Sequence, residues 1–285
     1  MSPTDVSDSL VRPRSNSSAK SLLVTILGEF VQHQGGSVWT KTLVDSLGIL
    51  GLEERNARQA IARLKSQDII VVEHLGRVAR WTITESGGDL LRSGAKRIFG
   101  FGLGSQDWDG RWLLVHCSIP EAQRSKRHQF RSRLAFEGFG FISPTVAISP
   151  NLDSETEANA VIIELGLVES AIVLRCESGS IIPDTDIGAR TWDLLDLSSD
   201  YEAFMDEFAG YEPTEPGQAF CAVVRLVHWW RRFPFIDPEL PAQLLPENWI
   251  GRRARALFDD SYAAWKPAAD DWYLALERSS TAPDQ

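Results

Sequence analysis

The chain has 285 residues, 43% of them hydrophobic and 24% charged, with a net charge of −10. That is length enough for two or three separately cored domains. No apolar run approaches the roughly 20 residues that span a bilayer and no signal-peptide apolar region opens the chain, so a cytoplasmic protein without membrane attachment is expected. Charge is unevenly divided: residues 1–100 carry 13 Lys and Arg against 10 Asp and Glu, a net of +3, whereas residues 101–285 carry 16 against 29, a net of −13. A nucleic-acid contact is therefore expected near the N-terminus, and the acidic remainder would repel phosphate. Cys117, Cys176 and Cys221 lie far apart, with no CxxC pair and no histidine at a metal-ligand spacing. This speaks against a zinc module and for reduced thiols packed as small hydrophobes.

Residues 1–17 are rich in Ser, Pro and charge and read as a disordered tail. From Ser18, Leu22, Leu23, Ile26, Leu27 and Phe30 recur at helical spacing up to the turn pair Gly35-Gly36. Thr40 is the expected N-cap of a second helix with Leu43, Val44 and Leu47 inward. A third begins near Glu53, with Ala57, Ala60, Ile61 and Leu64 as its apolar stripe. Turning 100° per residue places Arg55, Gln59 and Ser66 opposite that stripe, Arg58 and Arg63 on its flanks, and Asn56 beside them. Guanidinium and amide groups are the side chains that make paired hydrogen bonds to guanine and adenine edges, and small Ala62 permits close approach. Ile69 to His74 and Val78 to Ile83 read as a hairpin turning at Leu75-Gly76-Arg77. Arg77 and Arg80 sit where a wing would reach phosphates or the minor groove. The order of three helices and a basic hairpin predicts a winged helix-turn-helix over residues 18–98, with Thr40, Lys41, Arg55, Asn56, Arg58, Gln59, Arg63, Lys65, Arg77 and Arg80 as its DNA-contacting set. A winged helix used for protein contacts remains an alternative.

After a connecting helix, Thr84 to Leu91, and a Gly-rich segment, Phe99 to Gly104, the pattern changes. Strand Arg111–Ser118, helix Glu121–Phe136, strands Gly138–Ile142 and Thr145–Ser149, a helix Asp153–Gly166 capped by Asp153, and strand Ala171–Cys176 follow in order. This β-α-β-β-α-β series predicts a ferredoxin-like domain over residues 105–180. Its helix-free sheet face would need a partner, so dimerisation is expected there. The first helix concentrates Arg124, Lys126, Arg127, Arg131 and Arg133, suited to an anion or to a solvated surface. Residues 186–278 read as a mainly helical C-terminal domain with an acidic segment, Asp200 to Glu215. The whole is an α+β chain. The run Trp229-Trp230-Arg231-Arg232-Phe233-Pro234-Phe235 is either core packing or a pocket for an aromatic anion, in which Arg124, Arg127, Trp192, Trp229, Arg231, Arg232, Phe233 and Phe235 are the effector-binding candidates.

RRFPFIDPELPAQLLPENWIGRRARALF, from Arg231 on, resembles the C-terminal signature of the PaaX family of phenylacetic-acid-catabolism repressors. WDGRWLLVHCSIPE and GFGFISPTVAISP, between Trp108 and Pro150, resemble that family's central region, and Leu52 to Leu64 with the hairpin its winged helix. The resemblance covers about residues 20 to 277. It implies a homodimeric repressor of a catabolic operon, bound to palindromic double-stranded operator DNA and released by a small effector such as phenylacetyl-CoA or another aromatic compound, with no cofactor, metal or catalytic residue. The family's central domain is also similar to small CRISPR-associated nucleases, which end their first strand on a metal-binding aspartate. Here that strand ends His116-Cys117-Ser118, without the carboxylate a hard cation needs. No GxSxG elbow or Walker loop occurs, and Gly100-Phe-Gly-Leu-Gly104 lacks GxGxxG spacing. The chain is therefore not read as an enzyme, and the alternative is a CoA-dependent or acyl-CoA-binding enzyme on a winged-helix scaffold.

Overall fold

The computed structural model describes residues 18–76, 78–103 and 108–280. The expected tail, Arg77 and residues 104–107 lie outside this range. The chain divides into two compact units, one of residues 1–101, 203–232 and 254–285, the other of 102–202 and 233–253.

In the first unit, helix α1 (Ala19–Ile26) starts at Ser18, whose hydroxyl accepts the Ser21 N–H at 3.2 Å, satisfying one orphan donor of the helix start. The helix continues as a widened π turn, Leu27–Val31, and a 3-10 turn, Gln32–Gln34, ending on Gly35 at φ 88°, a left-handed stop that glycine adopts without steric cost. Strand β1 (Ser37–Trp39), α2 (Thr40–Ile49) and α3 (Glu54–Ser66) follow. Thr40 is the first residue of α2 rather than its cap; Trp39 holds the cap position without a side-chain bond, because the Thr40 hydroxyl is engaged with the sheet. Ala57, Ala60, Ile61 and Leu64 are the buried stripe of α3. Strands β2 (Ile70–Leu75) and β3 (Val78–Ile83) form an antiparallel hairpin, and β1 adds to the outer side of β3.

Helix α4 (Glu85–Gly100) opens with the Thr84 hydroxyl accepting the Gly87 N–H. It outlasts the expected Leu91 end by more than two turns and runs through the start of the Gly-rich segment, since Phe99 and Phe101 are fastened to aromatic rings of the same unit. A Cβ at Gly87 would stand 2.2 Å from the Ile69 carbonyl oxygen, so glycine sets how closely α4 approaches β2. Helix α9 (Pro216–Trp230) and residues 254–280 of α11 (Ile250–Ser280) complete this unit. Its core is aromatic: Phe30 meets Phe220 at 4.9 Å, Phe220 meets Trp272 at 4.5 Å, and Trp230 stacks on Phe258 at 4.8 Å. Rings so placed add to the area burial of the core.

In the second unit, β4 (Arg111–Cys117), α5 (Arg124–Phe136), β5 (Gly140–Ser143), β6 (Val146–Ser149), α6 (Glu155–Glu164) and β7 (Ala171–Glu177) alternate as expected. The sheet order is β5-β6-β4-β7 with all neighbours antiparallel, the ferredoxin-like arrangement. Leu113, Val115 and Cys117 alternate inward to meet Phe130 and Leu134 of α5 and Ala158, Val161 and Ile162 of α6. Strand ends shift by one or two residues, β5 beginning at Gly140 and β6 at Val146, and both helix starts differ from expectation. Residues Glu121–Gln123 form a 3-10 turn before α5. Asp153 is not a helix cap: it lies in a 3-10 turn, and its N–H donates to the Asn151 side chain, whose Asx turn claims the position first.

Helices α7 (Asp184–Thr191) and α8 (Leu194–Phe208) follow. Because α8 is continuous to Phe208, the first part of the expected acidic segment is helical. A short helix α10 (Phe233–Ile236) leads into the loop before α11. The helical residues after 186 are thus shared out, with α7, 194–202 and 233–253 in the second unit and 203–232 with 254–280 in the first.

Candidate nucleic-acid interface

The outer face of α3 carries Arg55, Asn56, Arg58, Gln59, Arg63 and Lys65, all exposed. Its stripe of three alanine and isoleucine residues plus Leu64 is sunk into the unit, which turns the polar face to solvent. Arg58 is paired with Glu54 one turn earlier at 2.7 Å, with both side chains about 60% exposed. Such a surface pair contributes little and leaves the guanidinium available for exchange. Glu54, Arg55, Arg58, Gln59 and Ala62 line an open concavity of about 600 Å³, in which Ala62 keeps the floor low.

A second concavity of about 260 Å³ lies between the start of α1 and α3, lined by Lys20, Leu52, Asn56, Gln59 and Arg63 among others. Lys20 was not among the expected contacts. It belongs to the first turn of α1, and only the packing of α1 across α3 brings it to the concavity that Arg63 also lines. No single-helix pattern carries that signal.

The hairpin is fastened to the helices. Thr40 Oγ1 donates to the Ala79 carbonyl at 3.0 Å and accepts the Trp81 indole N–H at 2.8 Å. The Arg80 guanidinium lies 5.2 Å from the centre of the Trp39 ring, a cation–π distance, and is half-buried there. Lys41 forms an exposed pair with Asp45 at 2.7 Å.

The effector candidates are held in separate environments. Trp229 meets Phe204 and Phe208 edge-on at 6.0 Å each. Arg231 donates to the Ser21 carbonyl and to Thr25 Oγ1, both at 3.3 Å, and Arg232 follows on the exposed side of the turn. Trp192 stacks on Trp112 at 6.3 Å, Phe233 stacks on Tyr201 at 4.1 Å, Phe235 is 61% exposed, and Arg127 pairs with Glu121 at 2.8 Å. Arg124 is exposed at the start of α5. The run Trp229–Phe235 is divided because α9 ends at Trp230, so consecutive residues leave in different directions.

Beneath the interface, polar groups tie α1 to later helices of the same unit. His228 Nδ1 lies 3.4 Å from Thr25 Oγ1; burial, then Arg231, Arg225 and Arg232, push its pKa down to about 4. Tyr262 donates to Glu29 at 2.8 Å, and burial raises the Glu29 carboxyl above its ordinary range. Among the described residues no group of His, Cys, Asp and Glu is arranged to hold a metal, and no helix is long and apolar enough to cross a membrane.

Residues 18–87 match the PaaX-like protein family, residues 105–187 the PaaX protein central Cas2-like domain, and residues 192–275 the PaaX-like protein C-terminal domain. The chain belongs to the PaaX family. This PaaX-family chain is 28% identical over 264 residues to the transcriptional repressor PaaX of Escherichia coli (strain K12), a match spanning 88% of this chain and 82% of the relative. Among solved structures it is similar to an uncharacterised protein from Mycobacterium tuberculosis, with a TM-score of 0.62 and 18% identity, covering 90% of this chain and 99% of that one. At that identity the likeness concerns the fold alone. The Cas2-like match falls on the β-α-β-β-α-β unit.

Proposed function

We propose that this protein is a ligand-responsive transcription regulator, a repressor of a catabolic operon, that binds a palindromic operator as a homodimer through an N-terminal winged helix-turn-helix. The observation that carries the reading is the polar face of α3, where exposed Arg55, Asn56, Gln59 and Arg63 stand on one side of a helix whose other side is wholly core. The antiparallel β2–β3 hairpin follows directly in the chain. Arg55, Asn56, Arg58 and Gln59 read base edges in the major groove. Lys20, Lys41, Arg63, Lys65 and Arg80 hold phosphates, joined by Arg77, which the sequence pattern assigns to the hairpin turn, and positioned by Thr40. The E. coli relative is a transcriptional repressor, which supports regulation over catalysis for this chain.

The dimer uses the sheet face opposite α5 and α6, which the end of α7 covers on its β5 side, so that only its β4–β7 side remains open. There Leu114 pairs with Leu174 and His116 with Ile172 across β4 and β7, whereas on the other side of the same face Ile148 is buried and Thr191 and Trp192 stand against Gly140. Ile172 and Leu174 are 56% and 51% exposed, an apolar surface that a second copy would cover. The effector is an aromatic or aryl-CoA compound. It releases DNA by favouring a domain arrangement whose recognition helices no longer match the half-site spacing, which requires different affinities for the two arrangements.

Fluorescence anisotropy with the upstream DNA of the protein's own operon, with and without phenylacetyl-CoA and free aromatic acids, tests this. Salt-sensitive binding relieved by one compound is expected. Absence of binding to this and to random duplex at low salt overturns the reading.

A further inference from the structure

The segment from Asp237 to Arg253 is packed far more tightly than a connecting loop requires. Asp237 accepts the Tyr201 hydroxyl at 2.6 Å and its other oxygen accepts the Glu239 N–H at 2.7 Å. A Cβ at Gly188 would stand 3.2 Å from the Leu244 carbonyl oxygen, so α7 sits directly against the 3-10 turn Ala242–Leu244. Trp249 is held edge-on against Tyr201 at 6.1 Å. A Cβ at Gly251 would stand 2.6 Å from the Trp249 Nε1 and 3.2 Å from the Tyr201 ring, so only glycine leaves the indole its place. This frame walls a concavity of about 410 Å³, lined by Leu245, Pro246, Asn248, Trp249, Arg252 and Arg253 with Glu247 at its side. The size falls in the range of small-molecule sites, roughly 300–1,000 Å³.

The charge placement is unusual. Helix α11 spans 31 residues, and its first turn contains no acidic residue but two consecutive arginines, Arg252 and Arg253, both exposed. Acidic residues are the favourable choice at a helix start, because the unsatisfied N–H groups there carry partial positive charge. Two guanidiniums add to that charge instead of offsetting it. Neither has a carboxylate partner among the described residues, and the one acid of the lining, Glu247, leaves the concavity net positive. A local rule broken inside a rigid frame marks a place where something else supplies the compensation.

We infer that this concavity is a binding site for an organic anion bearing a planar ring, the ring lying against Trp249 and the carboxylate or phosphate on Arg252 and Arg253. Guanidiniums bind both oxyanions in bidentate fashion, and the helix start adds backbone donors. Leu245 and Pro246 give the ring an apolar wall. The inference deepens the effector part of the proposed function, but occupancy of the site is measurable without DNA.

Titration calorimetry on the full chain, with phenylacetate, adenosine monophosphate and phenylacetyl-CoA as separate probes, distinguishes a carboxylate from a phosphate anchor. At least one probe is expected to bind, with the double variant Arg252→Gln/Arg253→Gln weakening it roughly tenfold or more and Trp249→Leu weakening it as well. Both arginines are exposed, so the double variant should keep the wild-type melting temperature. It should also keep the affinity for operator DNA measured without ligand, which separates failure of the pocket from failure of the regulator reading. No binding by any probe at about 1 mM, or equal binding by wild type and the double variant, overturns the inference.

Discussion

The Trp81 indole N–H donates to Thr40 Oγ1 at 2.8 Å, and the same hydroxyl donates to the Ala79 carbonyl at 3.0 Å. One side chain at the start of α2 thus fastens the return strand of the hairpin, and the angle between hairpin and helices depends on it. Thr40→Val keeps the volume but loses both bonds and leaves the indole N–H without its acceptor. It should cost about 1–3 kcal/mol, read by denaturant unfolding, and weaken DNA binding without altering sequence preference. A variant with unchanged stability would show that the hairpin is held by other contacts.

Lys20 and Arg63 border one concavity, whereas Arg55 and Arg58 line the next along α3. If the first pair binds phosphates, Lys20→Ala and Arg63→Ala should each reduce the slope of log affinity against log salt by about 0.9. Arg55→Ala should instead relax preference at one base pair, costing about 1–3 kcal/mol on the cognate site. Affinity measured over a salt series and over operator variants separates the two behaviours; an unchanged salt slope for Lys20→Ala removes it from the interface.

Arg225 and Glu207 pair at 2.7 Å with side chains only 9% and 5% exposed. Removing one charge leaves the other desolvated. Arg225→Met should therefore destabilise by about 3–5 kcal/mol, and the double change Arg225→Met/Glu207→Met should recover most of that loss. Thermal and denaturant unfolding of the three proteins checks it, and equal destabilisation in the double variant would argue that the pair is not the source.

His228 is neutral in the folded protein because burial and three arginines hold its pKa near 4, below the ordinary 6.5. Between those values the unfolded chain binds the additional proton, so stability should fall as pH drops from 6.5 toward 4, by at most about 1.4 kcal/mol per pH unit from this group. Above pH 6.5 the contribution is complete. His228→Gln should flatten the profile in that window, and a slope unchanged by the substitution would place the acid sensitivity elsewhere.

The helices and strands of the N-terminal and central regions were legible in the sequence wherever one face is core and the other solvent. The stripe Ala57, Ala60, Ile61 and Leu64 is buried as read, and the strand read over Arg111–Ser118 is present as Arg111–Cys117. Local competition was not legible: Asn151 caps a 3-10 turn by accepting the Asp153 N–H and so places Asp153 inside that turn instead of at the start of α6, and the hydroxyl of Thr40 turned to a strand 39 residues away.

By itself, the sequence determined which residues face water on α3, the β-α-β-β-α-β order of the central region and the resemblance that places the chain in its family, because periodicity and short motifs are properties of neighbouring residues. Only the tertiary structure decided that Lys20 and Arg63 border one concavity, that Trp230 is buried on Phe258 while half-buried Trp229 meets Phe204 and Phe208, and that Trp249, Arg252 and Arg253 line another concavity. Those outcomes depend on which distant helix occupies each face, a long-range packing choice that no local pattern encodes.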